Sequence, residues 1–230
     1  MENMCKSYVI AIDGEAGTGK STLAKNIAKK YGIVYMDTGA MYRCVTLDMI
    51  NNNISLEEIE KVSTLLDNIK IDMKNEDGED KFYLNGEDVS KKIREKQVND
   101  LVSQVSHIPV VRERMVDLQR KLAMGKKIVM EGRDIGTNVF PNAQAKIYLT
   151  ASAEERAKRR FEQNKEKGID ISYDEILKNV IFRDNNDKTS SVAPLKKAED
   201  AYELDTTNYS LEEVENLVVG YIRGRIDLDD

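Results

Sequence analysis

Histidine is almost missing from this chain: His107 is the one copy in 230 residues. That excludes His-rich metal centres and zinc-protease helices, and leaves little room for a Ser-His-Asp triad. His107 lies just before Pro109 and reads as structural. Cysteine is scarce as well. Cys5 and Cys44 make neither a C-x-x-C pair nor a disulfide framework, which suits a reducing cytoplasm. No apolar run approaches a membrane span, so no membrane partner is expected. The first apolar stretch, Tyr8–Ile12, is too short for a signal-peptide core, lacks a cleavage pattern, and reads as a strand. There is no low-complexity tract and no internal repeat. A basic excess is missing too, since the formal net charge is −6. A general nucleic-acid binder is therefore not expected, and cations serving an anionic substrate must be clustered locally.

Short apolar runs alternate with amphipathic stretches. Those at Tyr8–Ile12, Ile33–Met36, Ile128–Met130, Lys146–Leu149 and Ala201–Leu204 predict buried strands. The alternation predicts an α/β fold: a five-stranded parallel sheet flanked by helices. Ser55/Glu58, Ser152/Glu155, Ser172/Glu175 and Ser210/Glu213 each have capping-box spacing and predict helix starts. One region breaks the rhythm. Ile69, Ile71 and Met73 alternate, Asp77-Gly78 turns, Phe82 and Leu84 alternate, and Asn85-Gly86 turns again. This predicts a small antiparallel meander, followed by helix to about Ser106. The expected organisation is a single domain over 1–230. Its core is 1–37 and 109–230, with an insertion over about 38–108.

Gly14 to Ser21 read GEAGTGKS, a G-x-x-x-x-G-K-[ST] loop between a predicted strand and a predicted helix, which is the context this motif needs. The glycines let backbone N–H groups turn around an anion, and the helix N-terminus adds its positive end. Lys20 can reach the outer phosphates, and the Ser21 hydroxyl can ligate Mg²⁺ carried by ATP. The dinucleotide fingerprint has different spacing. A guanine-reading N-K-x-D is absent, the nearest string being Asn164-Lys165-Glu166-Lys167, and no protein-kinase motif set occurs.

Asp37 to Arg43 read DTGAMYR. The Asp-Thr-Gly triplet also occurs in aspartic proteases, which need a second copy that this chain lacks. The other reading sets Thr38 and Arg43 toward one anion. Glu131 to Thr137 read EGRDIGT after the third strand, at a carboxyl end, where open α/β sheets bind ligands. Arg133 and Asp134 form either a local ion pair or a site, with Arg on a phosphate and Asp accepting from a base amine. Arg156, Arg159 and Arg160 fall at i, i+3 and i+4, as a solvated basic face or as a helical lid over about 152–187. Arg183, Asp184 and Asp187, in RDNNDKTSSVAPL, are either surface or site.

Together these residues resemble the bacterial cytidylate kinases, the CMP/dCMP kinase family. The resemblance covers nearly the whole chain. It includes the P-loop, DTGAMYR, YLNGEDVSKKIR, SQVS at Ser103–Ser106, PVVRERM, EGRDIGTNVFP, SAEERAKRR and APLKKAEDA. It implies an ATP-dependent phosphotransferase acting on CMP and dCMP, cytoplasmic and monomeric, built on a P-loop nucleoside-monophosphate-kinase core. The resemblance also implies site roles. Gly14, Glu15, Ala16, Gly17, Thr18, Gly19, Lys20, Ser21 and Thr22 form the ATP phosphate site. Arg43 and Arg133, with Thr38, hold the acceptor phosphate. Ser103, Arg112 and Asp134 read cytosine. Asp187 accepts from ribose hydroxyls, with Arg183 nearby. Lys20, Arg133, Arg156 and Arg160 neutralise the transferring group. The alternatives are a kinase for UMP, AMP or shikimate, which would not need the Ser103/Arg112/Asp134 trio, and a non-enzymatic nucleotide switch. Two residues depart from the family pattern. Ser190 stands where the family carries arginine, with Lys188 a candidate to supply the charge, and Glu131 stands where Asp is common.

Overall fold

The computed structural model describes residues 7–76, 79–166, 168–190 and 192–228. Cys5 and the expected Asp77-Gly78 turn lie outside them. The chain divides into two compact units: Met1–Met36 with Ala123–Asp230, and Asp37–Leu122.

The first unit is built on a five-stranded parallel sheet in the order β2-β6-β1-β7-β8. Its strands are β1 (Tyr8–Gly14), β2 (Val34–Asp37, whose last residue belongs to the second unit), β6 (Lys127–Gly132), β7 (Ala145–Thr150) and β8 (Tyr202–Asp205). All five predicted strands form, each within two residues of its expected ends. β1 is central, paired with β6 and β7, and Ile10, Ala11 and Ile12 are fully buried. That is why the inner strands β1, β6 and β7 read as nearly continuous apolar runs. Helices α1 (Lys20–Tyr31) and α8 (Leu211–Arg223) set Leu23, Ile27, Val214, Val218 and Ile222 into the sheet's core. At the end of β1, Gly14 has φ +146°, and a Cβ there would stand 2.1 Å from the Leu149 carbonyl oxygen, so only glycine lets β7 approach so closely. Helices α6 (Ala153–Glu166) and α7 (Tyr173–Thr189) form a pair with its own small core of Ala157, Ile176 and Val180.

The capping expectations separate by distance from the helix. Ser210 and Glu213 make the full reciprocal box on α8, and Ser152 and Ser172 accept from Glu155 N and Glu175 N. Ser55/Glu58 does not start a helix. The Glu58 carboxylate reaches back to Ser55 N (2.9 Å), but Glu58 N–H bonds the Ser55 carbonyl instead of its hydroxyl, and α3 begins at Ile59. The pair closes a turn ahead of the helix.

The second unit contains α2 (Thr38–Asn51), α3 (Ile59–Asn68), the antiparallel strands β3 (Ile71–Glu76), β4 (Glu79–Leu84) and β5 (Glu87–Asp88), α4 (Lys96–Ser106) and α5 (Pro109–Ala123). The predicted meander is present. Ile71 pairs with Leu84 and Met73 with Phe82, and Phe82 is buried. Asn85 (φ 52°) and Gly86 (φ 91°) form the two-residue turn between β4 and β5; two positive φ angles are what such hairpins require.

Candidate active site

The loop after β1 runs into α1 through Gly19, whose φ of 91° makes it a left-handed helix entry. No side chain caps α1, so its first N–H groups are left to an anion. Lys20 is 5% exposed, and its Nζ donates to the Glu15 carbonyl at 2.6 Å. The Thr18 hydroxyl donates to the same oxygen at 3.0 Å. Burial pushes the Lys20 ammonium down to about 7. Arg133 pushes the same way, while Glu131, Asp13 and Asp187 oppose it. Ser21 and Thr22 are exposed in the first turn of α1. No cluster of three His, Cys, Asp or Glu able to hold a metal exists among the described residues. One hydroxyl beside a phosphate cradle fits a Mg²⁺ that arrives with nucleotide phosphates and keeps most of its waters.

Beyond β6 the chain turns sharply through Arg133–Asp134 into a π-helical turn, Ile135–Val139. Asp13, at the end of β1, accepts from Ile135 N (2.8 Å) and Gly136 N (2.7 Å). Burial raises the Asp13 carboxyl to about 6, against these two hydrogen bonds. The Asn138 amide donates to the Asp134 carboxylate (2.9 Å). Tyr35 donates to Glu131 (2.6 Å), so the longer Glu at this position reaches a hydroxyl partner on β2. Arg133 Nε donates to Asp187 at 2.8 Å. Burial and the Arg133 charge lower the Arg183 guanidinium from its usual value, while Asp187 opposes them.

The three arginines of α6 share a face but not an environment. Arg156 is 3% exposed and forms a bidentate pair with Asp184 of α7 (2.9 and 2.5 Å). It also donates to the carbonyls of Ala16 (3.1 Å) and Ala151 (2.9 Å). Arg159 bonds Glu155 and the Thr206 carbonyl, and Arg160 is exposed. The i, i+3, i+4 spacing spans only about 100° of helix surface, and it is the packing of α7, through Asp184, that buries Arg156 within it. Lys188, the candidate replacement for the arginine at Ser190, pairs with Glu15 of the P-loop at 2.7 Å. The Ser190 hydroxyl accepts from Ala193 N (3.3 Å).

In the second unit, the Asp37 carboxylate accepts from Ala40 N (2.9 Å) as the cap of α2, a structural use of the Asp-Thr-Gly triplet. Thr38 is buried in the first turn. Arg43 is oriented by Asn99 (2.6 Å) and the Ile93 carbonyl (3.3 Å). Arg112 lies over the Tyr42 ring and donates to the Ser106 carbonyl at 3.5 Å, and the Ser106 hydroxyl donates to the Ser103 carbonyl at 2.8 Å. Ser103 and Arg112 therefore share the α4–α5 corner. Asp134 is carried by the first unit.

Asp13, Asn99, Thr206 and the Arg156–Asp184 pairing were not anticipated from the sequence. Thr206 is buried and donates to the Thr150 carbonyl (3.1 Å) and, at 3.4 Å, to that of Thr18 in the P-loop. For Asp13 a signal existed: a carboxylate directly after a fully apolar run, in a strand that the pattern makes central.

The parallel sheet, its strand order and the loop entering α1 define a P-loop α/β fold. Solved structures share the fold. A protein from Eubacterium ventriosum matches with TM-score 0.52 at 16% identity, covering 96% of this chain and 100% of its own. A gluconokinase from Sinorhizobium meliloti matches with TM-score 0.50 at 12% identity, covering 95% and 94%. The cytidylate kinase family model matches residues 10–224. Cytidylate kinases from Fusobacterium nucleatum (52% identical over 212 residues, 92% of this chain and 95% of that protein) and Halalkalibacterium halodurans (45% over 221 residues, 96% and 100%) are similar over nearly their whole lengths. The chain belongs to the cytidylate kinase family. No helix among the described residues is long and apolar enough to cross a membrane.

Proposed function

We propose that this protein transfers the γ-phosphoryl group of ATP to CMP, with dCMP as a second acceptor, in a monomeric cytoplasmic enzyme. The observation that carries the reading is the loop Arg133–Asp134, hung from the P-loop strand by Asp13, in a chain of this family. Gly14 to Thr22 cradle the triphosphate, with Ser21 toward its Mg²⁺. Thr38, Arg43 and Arg133 serve the acceptor phosphate, and Ser103, Arg112 and Asp134 the base. Lys20, Arg133 and Arg160 neutralise charge on the transferring group, with Arg183 as a phosphate or ribose contact; Arg156, the fourth cation expected there, is engaged by Asp184 and the Ala16 carbonyl. A phosphate monoester has its second pKa near 6, so the acceptor oxygen is already ionised at neutral pH and needs no strong base. Alignment and electrostatics then supply the rate. The Arg133–Asp187 pair supports an order of events in this reading. An incoming phosphate competes for the guanidinium, and Asp187 is released toward the sugar hydroxyls. A coupled assay with CMP, dCMP, UMP, AMP and GMP tests the reading; equal turnover of AMP or UMP would overturn it.

Asp134→Asn should narrow the preference for CMP over UMP. A carboxylate only accepts, matching the cytosine amine, whereas an amide presents either a donor or an acceptor. The wrong-base penalty of roughly 1–3 kcal/mol is about 5- to 150-fold in kcat/KM ratio. A variant with the wild-type ratio removes Asp134 from base reading.

Triphosphate binding should also take up a proton. In the unliganded chain the Lys20 ammonium sits near 7, so at pH 8 this amine is mostly neutral. A bound triphosphate favours the charged form and raises it again. Calorimetry at pH 8 in buffers of different ionisation enthalpy should show uptake approaching one proton, with affinity falling as pH rises above about 7. For stability the sign is opposite to that of a favourable ion pair. The unfolded chain keeps this proton up to about 10.5, so the unliganded fold gains stability from this group as pH climbs from about 7. Absence of proton uptake at pH 8 would contradict the lowered value.

A further inference from the structure

The turn that follows Arg133–Asp134 is capped from outside. An Asp at the start of a helical turn ordinarily accepts from the N–H groups two and three residues further into it. Asp134 occupies that position, yet its side chain makes no cap hydrogen bond. The Gly136 N–H, one of those donors, goes instead to Asp13 Oδ2 at 2.7 Å, and the Ile135 N–H ahead of it goes to Asp13 Oδ1 at 2.8 Å, from a strand more than a hundred residues earlier. A Cβ at Gly136 would crowd the Lys146 stem at 3.2 Å and touch Asp13 Oδ2 at an ordinary 3.4 Å. The Asp134 carboxylate is thereby turned to Asn138, and the Asp134 carbonyl accepts from Asn138 N (2.9 Å) and Val139 N (3.2 Å).

We propose that Asp13 is a positioning residue for acceptor recognition: it takes over the capping of the 135–139 turn, so that Arg133 and Asp134 are aimed by the P-loop strand and not by their own loop. The inference rests on the acceptor roles proposed for Arg133 and Asp134. It ties the floor of the phosphate cradle to the base-reading loop through two amide hydrogen bonds, with no contact from Asp13 to substrate.

Asp13→Asn is the test. The variant is isosteric and keeps one acceptor, but its NH₂ confronts the second N–H donor. Backbone amide exchange at Ile135 and Gly136 should quicken about tenfold or more. The CMP-over-UMP ratio of kcat/KM should fall about tenfold toward that of Asp134→Asn, with ATP affinity within about twofold of wild type. Unchanged exchange, or a wild-type ratio where Asp134→Asn loses it, overturns the proposal. An equal loss of ATP and CMP affinity also overturns it, because Asp13 would then merely support the P-loop. If Asp134→Asn itself keeps the wild-type ratio, the base-reading assignment fails, and exchange at Ile135 and Gly136 decides for or against Asp13. Should Asp13→Asn not fold, Asp13→Glu, which keeps the charge and displaces both oxygens by one methylene, carries the same readouts.

Discussion

Lys20→Ala is expected to abolish phosphoryl transfer and leave the protein folded. The ammonium is held in a nearly closed environment, where a charge aimed at developing negative charge acts most strongly. By comparison with a lost oxyanion donor, its removal should cost about 3 kcal/mol or more of transition-state stabilisation, on the order of 10²- to 10³-fold in kcat. The fold should tolerate the change for two reasons. Burial already disfavours the charged form, as the lowered value near 7 shows. The Glu15 carbonyl that Lys20 occupies also keeps the Thr18 hydroxyl as a donor. Single-turnover transfer and a thermal melt on the same preparation check both halves. Near-normal turnover in a folded variant would rule out the P-loop chemistry.

Arg156→Ala should do the reverse, striking stability first. This guanidinium is buried, forked onto Asp184, and bonded to carbonyls in the P-loop and at the foot of α6. Removing it strands the Asp184 carboxylate in the interior. Breaking a buried pair from one side costs about 3–5 kcal/mol. For a chain of this size that lowers Tm by roughly 6–20 °C. Asp184→Ala should cost a similar amount, and the double replacement Arg156→Met with Asp184→Leu should recover most of it, because the stranded charge is gone. If both single variants melt with the wild type, the pair does not hold α6 and α7 to the P-loop. If Arg156→Ala instead lost turnover at unchanged Tm, a direct catalytic role would replace the structural one.

The contrast between these two residues marks what local sequence conveys. Lys20 lies inside a contiguous motif whose glycines, helix entry and lysine define one another's geometry over eight residues, so its place at the head of α1 followed from the string GEAGTGKS. The inner strands β1, β6 and β7 were legible for a similar reason. A strand buried on both faces must be apolar throughout, and that is a property of the strand alone. The meander's Asn85-Gly86 turn and the Ser210/Glu213 box are equally local. Arg156 was legible only as one cation in a run of three. Which of them is buried depends on where α7 packs, and Asp184 lies 28 residues away. Lys188 is similar: its distance from Ser190 made it a candidate for the acceptor, and packing set it on Glu15.

By itself, the sequence determined a parallel α/β core, a phosphate-binding loop and an antiparallel meander, because each rests on periodicity or on backbone freedom within a few residues. The tertiary structure decided which charges meet. Parallel pairing sets Asp13 of β1 opposite Gly132 of β6, and only that register delivers its carboxylate to the Ile135 and Gly136 amides. A side-chain pattern of period two or 3.6 carries no information about registry between strands more than a hundred residues apart. The partners of Asp13, Arg133 and Arg156 are therefore facts of packing.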